Sequence, residues 1–272
     1  MDKHIKDFFS SSSAGNAGPA GKFHQVISLN DRPELTWAEV TAKMPNFPRG
    51  WFELSHLTPE DRVSFTSEYW NTKIPFDLTI NPSLGKFFKS LDDIAIYLTQ
   101  KKYDDPYDVT MVYSIGDNGG FFRGQLPASD EDCITLQDQF SEIIFPDDYI
   151  AFLQIHNGFK KSIDCTGILP VLEVYQVYRR LREDVEGQDE VITTRAGDLV
   201  NPATLIPFYE SFGMPHFQCF WEEWYNEHGM GNVYYSLGER VISHPQKGET
   251  SAESMAFPTF SEWLVFYLER IV

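Results

Sequence analysis

Three runs of β-branched and aromatic residues, Leu205–Phe208, Phe217–Trp221 and Asn232–Ser236, follow one another with only glycine-containing turns between them. Parallel neighbours need a crossover of a dozen or more residues, usually a helix, so strands this closely spaced must form an antiparallel meander. The same logic applies upstream. Ile94–Leu98 and Val109–Ile115 flank the turn signal Asp104-Asp105-Pro106, and Asp117-Asn118-Gly119-Gly120 reverses the chain before Phe121–Arg123. Strands in runs, not strictly alternating with helices, predict an α+β protein with an antiparallel twisted sheet flanked by helices.

The helices announce themselves by their first turns. Thr36-Trp37-Ala38-Glu39 and Thr259-Phe260-Ser261-Glu262 are capping boxes. Thr58-Pro59-Glu60-Asp61 combines a cap, a proline at the first helical position and acids at the positive end of the dipole, and its helix is expected to turn Phe65 and Tyr69 inward. Ser129 is expected to cap a helix whose apolar face includes Ile134, Phe140 and Ile144. Pro146 to about His156 reads as a helix with Tyr149, Phe152, Leu153 and His156 on one side, and Asn157-Gly158 as its left-handed stop. Val174, Val177, Tyr178, Leu181 and Val185 form the cleanest stripe, opposed by Arg179, Arg180 and Arg182. The closing helix is expected to bury Trp263, Phe266, Tyr267 and Ile271. Gly187 to Pro202 is charged and turn-rich and reads as an exposed loop.

Residues 1–21 read as a flexible leader, because Ser10 to Gly21 are Ser, Gly, Ala, Asn and Pro and bury too little apolar area to offset ordering entropy. Folding is expected to begin near Phe23. The rest divides into an N-terminal α+β extension, 22–128, and a domain spanning 129–272. With 22 Phe, 13 Tyr and 6 Trp, large rings must fill much of the interior.

The net charge of −18 repels nucleic-acid phosphates and anionic lipid, so a nucleic-acid or membrane partner is not expected and an electrostatically selected partner would be basic. Excess carboxylate is equally the ordinary signature of solubility. Three cysteines, Cys133, Cys165 and Cys219, without CxxC spacing suggest neither a disulfide framework nor zinc, and no signal-type or membrane-spanning apolar run occurs. A reducing, cytoplasmic setting is expected, with no cofactor.

The most enzyme-like segment runs from Trp221 to Gly229, where Glu222, Glu223 and His228 would perform acid–base work only if they converged on one pocket. The seven histidines show no HxH or HExxH spacing; His216, His228 and His244 could meet in the sheet. Cys165 beside Asp164 lacks any nucleophile signature, and a small buried residue is the simpler reading. GxSxG, P-loop and GxGxxG motifs are absent.

Taken in order, several of these segments are similar to a known family. Phe145-Pro146-Asp147-Asp148-Tyr149-Ile150-Ala151-Phe152-Leu153 with His156-Asn157-Gly158-Phe159 resembles the signature of the SUKH superfamily, in which a Pro-x-x-Tyr helix runs into an Asn-Gly turn. Ile168 to Tyr175, Ile206-Pro207-Phe208, Cys219-Phe220-Trp221, Asn232 to Tyr235 and Phe260 to Leu264 match its later strands and helices. The resemblance covers about residues 129–272. It departs at residues 22–128, which small members lack, and at Phe212-Gly213-Met214-Pro215-His216, where members often carry Gly-Asp.

The resemblance implies an α+β domain without a catalytic centre, acting as a toxin-immunity protein in bacteria or a regulator of cell-wall synthesis in fungi. The expectation is thus a non-catalytic protein-binding module that masks a partner such as a basic toxin domain, with Trp221, Glu222, Glu223, Trp224, Tyr225, Tyr234 and Tyr235 as candidate contacts, about half of which strand alternation would turn into the core. A small-molecule or peptide-binding regulator, and a hydrolase using Glu222, Glu223 and His228, are the alternatives.

Overall fold

The computed structural model describes residues 1–9, 23–164, 166–187, 191–211 and 216–269. Ser10 to Gly21, Cys165, Phe212 to Pro215 and Ile271 lie outside them. The described residues of Met1–Thr72 and Asn81–Leu126 form one compact unit, and those of Lys73–Ile80 and Pro127–Arg270 another. Each is α+β.

In the first unit, helix α1 (Lys3–Phe8) precedes the sheet strand β1 (Gln25–Ser28); α2 (Trp37–Lys43), α3 (Arg49–Ser55), α4 (Pro59–Lys73) and α5 (Ile80–Ser90) follow, then β2 (Leu91–Gln100), β3 (Asp108–Ile115) and β4 (Phe121–Gly124). The strands pair antiparallel in the order β1-β2-β3-β4, with Ile94 opposite Tyr113 and Ile96 opposite Met111. Ordered chain thus exists well before Phe23. Ile5 and Phe9 pack on Ala95, Tyr97, Val112 and Phe121, because this face of the sheet is apolar and needs a cover. Asp2 fixes that cover: its carboxylate accepts the N–H groups of His4 at 2.7 Å and Gly120 at 2.9 Å.

Helix α2 carries the expected capping box, with Thr36 and Glu39 each accepting from the other's backbone. In α4 the sequence reading chose the wrong row. Phe65 and Tyr69 are exposed, whereas Arg62, Thr66 and Trp70 are buried. Both rows have the i, i+4 spacing of one helix face. The larger Trp70 decides between them, since it fills the space among Phe87, Phe88 and Tyr113. Arg62 follows it inward only because Asp93 is there to neutralise it, at 2.7 Å.

The second unit contains α6 (Asp130–Gln139), α7 (Asp147–Leu153), β5 (Phe159–Lys161), β6 (Gly167–Ile168), α8 (Val171–Glu186), β7 (Ile192–Thr194), β8 (Leu199–Val200), β9 (Leu205–Ser211), β10 (His216–Asn226), β11 (Gly229–Ser236), β12 (Val241–Ile242), α9 (Ser251–Ser254), β13 (Ala256–Phe257) and α10 (Phe260–Glu269). Its sheet runs β5-β6-β9-β10-β11-β12-β7-β8, with β13 on β11. All these pairings are antiparallel except β12 with β7. The expected meander is β9, β10 and β11.

Aromatic residues make the core, as the composition required. Tyr149 of α7, Phe208 of β9, Phe220 of β10 and Phe260 of α10 pack edge-on or tilted around one another, with ring centres 4.4 to 5.8 Å apart. Ser129 caps α6 through a box with Asp132, but Ile134 and Ile144 are exposed and Leu136 and Phe140 are the buried residues. The segment read as a loop up to Pro202 holds β7 and β8, whose Ile192 and Val200 are buried; its charges obscured a short hairpin.

Candidate partner-binding surface

The surface carrying the predicted contacts is set by one irregularity. Strands β10 and β11 pair regularly from His216↔Ser236 to Phe220↔Asn232, and pairing resumes at Tyr225↔Met230. Four residues, Trp221 to Trp224, therefore face the single residue Gly231. So unequal a bulge lifts its longer strand out of the ladder and re-aims its side chains. Gly231 makes room for it: a Cβ there would lie 2.5 to 2.7 Å from ring atoms of Trp224. The indole sits directly on that backbone.

The bulge sorts the candidates. Tyr225 is 54% exposed and Glu223 is exposed, while Trp221, Glu222, Trp224 and Tyr234 are half-buried. Tyr235 is not available: it is fully enclosed and stacks with Phe217 across the β10–β11 pair. Regular pairing holds at its position, so alternation sends Tyr235 inward and leaves Tyr234 partly outside. Burial, reinforced by Glu239, raises the Tyr234 phenol above its ordinary pKa. Neither Glu222 nor Glu223 has a hydrogen-bond or ion-pair partner among the described residues. The Nε1 of Trp221 is buried without a hydrogen-bond acceptor among them.

Beyond the bulge the hairpin closes tightly. The Asn226 side chain accepts the N–H of His228 at 2.8 Å and donates to the carbonyl of Pro258 at 2.9 Å, and Gly229 takes a positive φ of 107°. His228 is exposed with its Nε2 3.5 Å from Glu227. Among the described residues no hydrogen bond or ion pair joins it to Glu222 or Glu223. Of the three histidines that the sequence offered as a cluster, His216 tilts against Tyr234, His228 is at the hairpin end, and His244 follows β12. No group of three or more metal-ligating side chains converges among the described residues. Cys133 and Cys219 are free thiols, both with their pKa raised by burial.

Sequence reasoning missed the supports of this surface. Asn232 is fully buried; it accepts from Gln218 Nε2 at 2.8 Å and donates to the carbonyls of Phe257 and Thr259 at 3.2 and 2.9 Å. One side chain thus ties β10, β11, β13 and the entry to α10 where the bulge begins. The basic cluster of α8 is absorbed locally, as mixed charge suggested: Arg179 and Arg182 pair with Glu183 and Glu186, and Arg180 reaches Glu210 of β9.

The α7–turn–β5 and α8–meander–α10 order supplies every element of the resemblance, and the sequence profile of the SMI1 / KNR4 family (SUKH-1) matches residues 127–265. The chain belongs to the SUKH-1 family. The matched span opens at Pro127, where the main run of the second compact unit also begins. A search of curated proteins finds no match. SUKH-1 membership supports an immunity-type or regulatory role at the level of the family, whose members are generally non-catalytic and typically bind protein partners. No helix among the described residues is long and apolar enough to cross a membrane.

Proposed function

We propose that this SUKH-1 protein is a cytoplasmic, non-catalytic binding module that masks a basic protein domain, such as a toxin, with the β10 bulge. Trp221, Glu222, Glu223, Trp224, Tyr225 and Tyr234 form the contact surface. The observation that carries the reading is the four-against-one bulge over Gly231, which presents aromatic side chains next to two carboxylates that no cation among the described residues neutralises. Aromatic anchors in partly desolvated seats supply affinity, and the surrounding negative field speeds encounter with a basic partner.

The test begins with capture of partners by the full chain from its native cell, followed by binding measurements on the purified pair. Binding should weaken with rising salt and fall at least about tenfold in a Trp224→Ala/Tyr225→Ala variant whose melting temperature is unchanged. A purified partner that binds the variant as tightly as the parent, or the absence of any saturable partner, overturns the proposal.

A further inference from the structure

A second site lies away from the bulge, where the parallel pairing of β12 with β7 ends. The register Val241↔Thr193 and Ile242↔Thr194 brings the carboxyl ends of β12 and β7 side by side. The next residues on each strand, Arg195 and Ser243-His244, therefore leave the sheet together. They open a cleft of about 440 Å³ lined by Arg195, Ala196, His244, Pro245, Gln246 and Lys247. That size falls within the ~300–1,000 Å³ common for small-ligand sites.

Both walls are held in place. Thr194 Oγ1 accepts the N–H groups of Ala196 and Asp198, each at 3.2 Å, and Gly197 turns the chain with φ of 93°. Opposite, buried Ser243 accepts from the N–H of Tyr234 at 2.7 Å and donates to the carbonyl of Met255 at 2.6 Å. With those turn N–H groups spent internally, recognition in the cleft falls to side chains.

Two of those side chains, Arg195 and Lys247, are cationic in a chain of net charge −18. Arg32, Arg49, Arg62, Arg179, Arg180 and Arg182 each hold a carboxylate, whereas Arg195 and Lys247 hold none among the described residues. His244 adds a buried Nδ1 without a hydrogen-bond partner among them. The one carboxylate in the same turn, Asp198, lies 3.4 Å from the Thr194 hydroxyl. A planar guanidinium fork, a point-charge ammonium and an imidazole from three chain positions suit a tetrahedral anion with several oxygens better than a carboxylate, which one fork can saturate.

We propose that this cleft binds the phosphoryl group of a small molecule, held by Arg195, Lys247 and His244. The experiment uses the full isotope-labelled chain titrated with inorganic phosphate and, separately, with adenosine monophosphate, against chloride at matched ionic strength. Amide signals of Ala196, Gly197, His244 and Lys247 should shift saturably with both phosphates and not with chloride. Tighter binding of the nucleotide shows that the cleft takes a whole phosphorylated molecule; equal binding shows that the phosphoryl group alone is recognised. An Arg195→Ala/Lys247→Ala variant, both positions being exposed, should keep its melting temperature and bind at least about tenfold more weakly. Arg195→Glu should abolish the shifts. No saturable shift at these residues, an equal response to chloride, or unchanged affinity in the double variant overturns the proposal.

Discussion

The side chain of Asn157 accepts the backbone N–H of Val171 at 2.7 Å, so a residue of the turn after α7 caps the start of α8. Helix α7 ends earlier than its sequence suggested, at Leu153 with Gln154 as a right-handed cap, and Gly158, with φ of 104°, turns the chain only further on. Asn157 was expected to share that conformation, but Pro170 at the head of α8 has no side-chain donor or acceptor to offer, and Asn157 supplies what it lacks.

Removing that cap should be felt as a lost helix cap. Asn157→Ala is expected to cost about 1 kcal/mol of stability, read from the midpoint of urea unfolding, and Asn157→Asp to retain most of it because a carboxylate accepts the same N–H at the positive end of the helix. An unchanged midpoint for Asn157→Ala would refute the role.

Arg62 and Asp93 form a buried ion pair, with guanidinium Nε and Nη2 at 2.8 and 2.7 Å from Asp93 Oδ1. Arg62→Ala leaves a buried carboxylate uncompensated and should cost roughly 3–5 kcal/mol. The joint Arg62→Leu/Asp93→Leu replacement should lose less than the single change. A thermodynamic cycle with additive effects would show that the two residues are not coupled.

Asp148 accepts the N–H of Ser261 at 2.7 Å and so helps to cap α10, yet burial raises its pKa above the ordinary 3.8. Between the ordinary and the raised value the folded chain holds a proton that the unfolded chain has lost, so this group's contribution to stability falls as pH rises through that interval. Asp148→Asn should therefore gain on the parent as pH is raised from the ordinary carboxyl pKa toward neutrality, whereas Asp148→Ala should lose the cap at every pH. Parallel stability profiles for Asp148→Asn and the parent would contradict the assignment.

Gly231→Ala should drive the Trp224 ring off its seat, since the added Cβ meets ring atoms within 2.7 Å. The expected readout is a red shift of tryptophan emission that vanishes in a Trp224→Phe background, with modest destabilisation. Emission identical to the parent's would show that the ring does not lie there in solution.

Several features were legible in the sequence because their causes are local. The capping box at Thr36, the cap at Ser129, the hairpin turn at Asp104-Asp105-Pro106 and the β9–β10–β11 meander follow from hydrogen bonds and backbone preferences spanning a few residues. Family membership was legible for a related reason: it depends on the order of such segments.

Other features were not local and could not be read. Phe65 and Tyr69 offered α4 as good a helical face as Arg62, Thr66 and Trp70, and only the shape of the aromatic pocket and the charge of Asp93 selected the second. Helix α1 and the β7–β8 hairpin are too short and too polar to carry a periodic signal, and exist because an apolar sheet face and β12 receive them. At the candidate surface, composition marked the aromatic and acidic segment of β10, but alternation alone could not say that Tyr235 goes in and Tyr225 out. Sequence determined the longer helices and the meander strands, through contacts between near neighbours. Tertiary structure decided which of their faces are buried and where Trp221 to Trp224 bulge over Gly231, because those choices rest on space and charge contributed by residues distant in the chain.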